Sequence, residues 1–275
     1  MQVIDAHHHL WALDTEGHQW PTAAEPSIHR DFAMRDLVAA AGDVDLVATV
    51  LVQSQPTDAD TDWMLAVAAD DPRIAAVVGW VDLASPDAPE RIAALAAAPK
   101  LRGLRPMLQA IDDTDWLLDP ALTPAIAAMQ QHSLRFDALV QPRHLPMLAR
   151  FMDRWPELPV VIDHAAKPFV LQGMLDPWRA EMAALAERGA WCKLSGLRTE
   201  QAPGAPAYQL WLYVDHLVAC FDDRLMWGSD WPVLRLSGDD FRAWLSDADW
   251  LTGFRGLSRE SLYRDAATQF YGLEG

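Results

Sequence analysis

Eight apolar, β-branched runs recur along this chain, each separated from the next by an alanine- and leucine-rich stretch, and that alternation constrains the fold most. The runs are VIDAHHH at the start, LVATVLVQ (46–53), IAAVVGWVDL (74–83), LRGLRPML (101–108), LRFDALV (134–140), PVVIDHAA (159–166), AWCKLSGL (190–197) and LMWGSDWP (225–232). Between them lie stretches with helical spacing, such as TDWMLAVAADD, PERIAALAAA, HLPMLARFMDRW and WRAEMAALAERG. Pro72, Pro99 and Pro156 stop helices, Gly189 suits a C-cap, and Ser85 or Asp87 suits a start. Runs that are nearly continuous in apolar residues are expected where a parallel sheet is buried on both faces. Eight strands alternating with helices predict an α/β fold, a (β/α)8 TIM-type barrel. A doubly wound open sheet shares the alternation, but no glycine-rich dinucleotide turn follows the first strand.

The 275 residues are expected to form a single barrel domain spanning 1–275. Two distant cysteines, Cys192 and Cys220, exclude a disulfide framework and offer no thiolate zinc site. A net charge of −17 argues against nucleic acid and anionic membrane as partners, because both require a positive surface. No apolar run approaches the length of a membrane span. No basic segment precedes an apolar leader, so a cytoplasmic location is the default expectation. Oligomeric state is not legible.

The polar residues at the ends of the strands bear on function, since barrel sites are built there. The first strand ends in His7, His8 and His9; side chains alternate along a strand, so His7 and His9 share a face and His8 opposes them. The sixth strand ends in Asp163-His164, the eighth in Asp230 within GSDWP. Taken singly, each has a structural reading: a surface histidine run, a hydrogen-bonded core histidine, a helix N-cap aspartate. Together, His7, His9, His164 and Asp230 are suitable ligands for a divalent ion such as zinc, with a position left for water. Asp163 points away from His164 by the same alternation and is expected to be structural.

Further strand-end residues extend the candidate site. Gln53 ends the second strand and Arg105 the fourth; Lys167 and Arg198 follow the sixth and seventh, and Lys193 lies on the seventh. Each cation suits a substrate oxygen or an oxyanion, and each equally suits an ion pair with one of the many carboxylates. Trp11, Trp20 and Trp231 are placed to line a cavity, and residues 14–31, long and proline-bearing, form a candidate lid. His144 and His29 are candidates only for the pocket edge.

At these residues the sequence resembles the amidohydrolase superfamily, which implies a metal-dependent-hydrolase-like barrel. It is similar to the branch holding the sugar lactonases, of the L-fuconolactonase and L-rhamnonolactonase types, and 2-pyrone-4,6-dicarboxylate lactonase. The stretches IDAHHHLW, VVGWVDL, KLRGLRPMLQ, VVIDHAAKP, CKLSGL and LMWGSDWPV carry the resemblance from residue 4 to 233. It implies metal ligands at His7, His9, His164 and Asp230. The fourth- and fifth-strand ligands of two-metal members are missing, with Arg105 and Asp137 standing there, so at most one metal is implied. Zinc is the expected ion, although members of the branch differ in metal need.

The resemblance implies hydrolysis of a small-molecule lactone, either a sugar-acid lactone or a carboxylated one. Asp230 is the expected base toward water, and His164 and Arg105 are expected to assist catalysis. Gln53, Arg105, Lys167, Arg198 and Trp231 are the expected substrate contacts. A metal-dependent decarboxylase on the same barrel and a catalytically silent sugar-acid-binding barrel are the rival expectations.

Overall fold

The structure, a computed structural model, describes residues 1–273. Strands β1 (Gln2–His8), β2 (Asp45–Val52), β3 (Ile74–Gly79), β4 (Leu101–Leu104), β5 (Arg135–Ala138), β6 (Val160–Ile162), β7 (Trp191–Leu194) and β8 (Leu225–Trp227) form one sheet in chain order. All seven neighbouring pairs are parallel. The ring is closed just beyond β8. There Asp230 N–H donates to the His7 carbonyl at 2.8 Å and His9 N–H to the Trp231 carbonyl at 2.7 Å. Helices α1 (Met34–Ala41), α2 (Asp58–Asp70), α3 (Ala88–Ala96), α4 (Thr123–Gln131), α5 (Leu145–Arg154), α6 (Trp178–Glu187), α7 (Trp211–Phe221) and α8 (Phe241–Gly253) follow the strands in turn. This is the (β/α)8 barrel expected from the alternation.

Packing follows from residue parity along each strand. One set of side chains, including Ile4, Ala6, Val50, Val52, Val78, Val161 and Met226, fills the barrel interior. The other set joins the helices in the larger outer core. A last helix, α9 (Ala266–Tyr271), carries Phe270 and Tyr271 into the interior cluster. Arg135, at the start of β5, donates to the Phe270 carbonyl at 2.7 Å, and the ring of Trp191, at the start of β7, lies 5.5 Å from that of Phe270. α9 therefore covers the N-terminal end of the barrel, leaving the C-terminal mouth open.

Most ladders stop well before the apolar runs do. β6 and β8 hold three residues each, and the residues expected to extend them are instead short turns at the mouth. These turns stay buried, so hydrophobicity alone does not reveal where the ladder ends. The expected helix limits agree better: α2, α3 and α5 end before Pro72, Pro99 and Pro156, and Gly189, at φ +87°, follows α6. Among the described residues, no helix is long and apolar enough to cross a membrane.

Candidate active site at the barrel mouth

A bulge in β1 turns its histidines toward the mouth. Val3 pairs with Leu46, Ile4 with Ala48 and Asp5 with Thr49, but His8 pairs with Leu51, so one residue is added between Asp5 and His8. Such an insertion shifts the phase of the alternation. Ile4 and Ala6 face the interior; after the bulge His8 shares the outward side of its partner Leu51, while His7 and His9 enter the mouth. His8 is buried, both its ring nitrogens lack a hydrogen-bond partner, and burial pulls it down to about 3. It is a neutral packing residue.

The other donors converge on this pair. His7 Nε2 and His9 Nε2 lie 3.2 Å apart, and Asp230 Oδ1 is 3.4 Å from His9 Nε2, 3.8 Å from His7 Nε2 and 3.9 Å from His164 Nε2. The His7 and His164 rings are 4.4 Å apart. The cluster is buried and metal-ligand-like: single donor atoms of His7, His9 and Asp230 all fall within 4.8 Å of one another.

Each donor is aimed by a contact behind it. His9 Nδ1 bonds the Val52 carbonyl at 2.8 Å, which fixes its proton there and leaves Nε2 as a lone pair. His164 Nδ1 meets Ser195 Oγ at 2.9 Å. Asp5 accepts from Ser229 N–H at 2.8 Å and Ser229 Oγ at 2.5 Å, tying β1 to the turn that carries Asp230. Burial raises Asp5 to about 7 against those hydrogen bonds. Asp230 itself has φ +54°, and residues His164 to Lys167 all have positive φ; such clustered strain in non-glycine residues is typical of functional sites.

The expected facing of Asp163 needs correction. It continues the inward alternation after Val161, and its Oδ1 lies 3.4 Å from His7 Nδ1 and 3.0 Å from Lys193 Nζ, with Oδ2 3.2 Å from Arg105. The left-handed run that begins at His164 breaks the alternation, so both Asp163 and His164 reach the centre. Lys193 also lies beneath the site, fully buried between Asp163 and Asp137, the latter at 2.5 Å. Tyr271 of α9 donates to Asp137 at 2.6 Å and completes the network.

Charge sets the protonation states. Burial lowers His7 well below its usual range, helped by the Lys193 ammonium. Burial likewise lowers His164, to about 4, although Asp230 and Asp163 oppose it. Burial pushes Asp230 upward, but His164, His9 and Lys167 outweigh it, so its carboxyl titrates below the ordinary value. At neutral pH, His7 and His164 are neutral and Asp230 is a carboxylate.

A cavity of about 380 Å³ opens over this cluster. His9, His164, Asp230, Arg105, Lys167 and Trp20 line it, joined by Met107, Gln109, Thr199 and Glu200, which were not foreseen. Met107 and Gln109 end the KLRGLRPMLQ stretch beyond β4, and Thr199 and Glu200 lie in the short turn after β7. Gln53, Arg198 and Trp231, expected to touch substrate, do not line the cavity. Gln53 donates to the Arg105 carbonyl at 2.9 Å and its own carbonyl receives the guanidinium. Arg198 is bonded to Asp239 and Gln201. Trp231 stacks edge-on with Phe32 at 5.1 Å. His144 is buried, with Nδ1 accepting from Gln141 N–H, and His29 is exposed; neither lines the cavity. Residues 14–31 are pinned at their base by the Trp11–Phe32 backbone pair, and Gln55 holds the Trp20 backbone through its amide.

A buried histidine–aspartate centre at the C-terminal mouth of a parallel eightfold barrel defines a class of barrel hydrolase. Within that class the chain belongs to the amidohydrolase family, whose model matches residues 4–273. It is 49% identical over 247 residues to an L-fucono-1,5-lactonase of Burkholderia ambifaria, covering 88% of this chain and 85% of that one. It is 34% identical to an L-fucono-1,5-lactonase of Burkholderia multivorans, covering 98% and 96%. A crystal structure of an amidohydrolase from Burkholderia multivorans with bound zinc superposes over the whole of both chains, at 32% identity and a TM-score of 0.91.

Proposed function

We propose that this protein opens the ring of a sugar-acid 1,5-lactone with water. The observation that carries this reading is the 49% identity to an L-fucono-1,5-lactonase, on a chain whose histidines and aspartate meet at one cavity.

Asp230, held as a carboxylate, takes a proton from a water at the cluster while the water oxygen attacks the lactone carbonyl. Arg105 and Lys167, both on the cavity wall, stand where negative charge develops on the carbonyl oxygen. When the carbon–ring-oxygen bond breaks, Asp230 returns its proton to the departing oxygen. The product is an open hydroxy acid that ionises and acidifies the medium.

The donor set fits one divalent cation. His7 Nε2 and His9 Nε2 face each other at 3.2 Å, so one cation can take a lone pair from each ring. Donors of a tetrahedral zinc site, with bonds of roughly 2.0 Å, sit about 3.3 Å apart, close to the 3.2 and 3.4 Å found here. His7, His9, His164 and Asp230 would hold it. Zinc bound there supplies Lewis acidity toward the carbonyl or the water.

The test is a panel of sugar lactones followed with a pH indicator, with carbon dioxide measured in parallel. Turnover of a 6-deoxy-sugar 1,5-lactone without gas release is the expected result. Release of carbon dioxide from a carboxylated substrate, with no lactone turned over, would replace this reading with a decarboxylase.

A further inference from the structure

The cavity carries two charges that serve no other part of the protein. Arg105 is occupied by Asp163 and the Gln53 carbonyl, and Asp230 by the imidazoles. Lys167 and Glu200 also line the cavity, yet among the described residues neither side chain makes a hydrogen bond or an ion pair within 4.0 Å. Their placement is fixed all the same. Lys167 ends the left-handed run that aims His164, and its N–H bonds the His164 carbonyl at 2.8 Å. Glu200 ends the short 3-10 turn Leu197–Glu200 after β7, and its carbonyl accepts from Leu171 N–H at 3.2 Å, which couples it to the loop that begins at Lys167.

Two half-buried opposite charges that do not pair leave both open to a ligand. Burial raises the Glu200 carboxyl and Lys167 lowers it, as expected for a carboxylate already withdrawn from water. A ligand rich in hydroxyls suits such a pair: its O–H groups donate to the carboxylate and its oxygens accept from the ammonium. A ligand bearing its own carboxylate meets Glu200 and Asp230 as like charges.

We infer that Glu200, sharing the cavity wall with Lys167, selects neutral polyhydroxylated lactones over carboxylated ones by accepting hydrogen bonds from substrate hydroxyls. The inference rests on the lactonase reading and names the substrate class within it. Glu200 is a specificity residue, remote in role from the proton transfer at Asp230.

The experiment compares Glu200→Gln and Glu200→Ala with the parent protein on two substrates: L-fucono-1,5-lactone and a lactone of an aldaric acid, which keeps a free carboxylate. Melting curves establish that the variants are folded. The parent is expected to favour the neutral lactone. Glu200→Ala is expected to raise KM for it roughly tenfold or more, with kcat moving much less, and Glu200→Gln to lie between. Both variants are expected to lower KM for the carboxylated lactone. If folded variants keep the parent's KM values on both substrates, the inference is overturned while the lactonase reading stands. If the parent turns over no lactone, that reading falls and the inference with it.

Discussion

The ammonium of Lys193 lies 2.5 Å from Oδ2 of Asp137, and neither side chain is exposed to solvent. Asp163 stands on the other side of the same ammonium at 3.0 Å. Buried carboxylates of this kind are tolerated only when paired. Lys193→Met is therefore expected to destabilise the fold by about 3–5 kcal/mol, read as a lowered denaturant midpoint. Adding Asp137→Asn to it removes one orphaned charge and should recover part of the loss. A single variant as stable as the parent would show that the network contributes nothing.

Asp230→Asn keeps the shape of the side chain and removes the base. Turnover is expected to fall roughly 10²–10⁴-fold, with an unchanged melting curve. Steady-state kinetics on the lactone that the parent turns over measures it; near-normal kcat would exclude Asp230 as proton acceptor.

Gly196 does not line the cavity, yet a Cβ there would come within 2.5 Å of His164 Nδ1, and its φ is +63°. Gly196→Ala should displace the His164 ring from Ser195 and lower kcat/KM roughly 100-fold, as misplacement by about 1 Å does. Circular dichroism separates this from unfolding. An active, folded variant would mean that the ring's position is immaterial.

Elemental analysis is expected to find one zinc ion per chain, and His9→Ala to weaken its binding. Titration of chelator-treated protein with zinc, followed by calorimetry, gives both stoichiometry and affinity. A parent chain that takes up no zinc would leave His7, His9, His164 and Asp230 as a metal-free polar centre.

Much of this architecture is legible in the sequence, because a parallel barrel repeats a simple alternation and its mouth collects the polar residues that the apolar runs do not need. His7, His9, His164 and Asp230 stand out for that reason. What is not legible depends on departures from ideal strands. The bulge in β1 and the left-handed run after Asp163 decide which side chains face inward, and neither has a distinctive residue pattern; hence Asp163 is misplaced by simple alternation. Gln53 and Arg198 are polar residues at strand ends like Arg105, and only the packing shows that they bond to other protein groups. Glu200 lies in a turn whose bearing on the cavity comes from the loop beside it. Likewise α9 reaches the barrel floor through tertiary packing, which leaves no local signature.

The seam between β1 and β8 is where these donors reside. His7 and His9 lie on one lip and Asp230 on the other, and just below them Asp5 reaches Ser229, 224 residues away along the chain. A cation gripped across both lips would act as a rivet on a loop that encloses nearly the whole polypeptide, restraining the opened chain far more than any local contact. Loaded and stripped protein should then differ most in how slowly the ring springs apart.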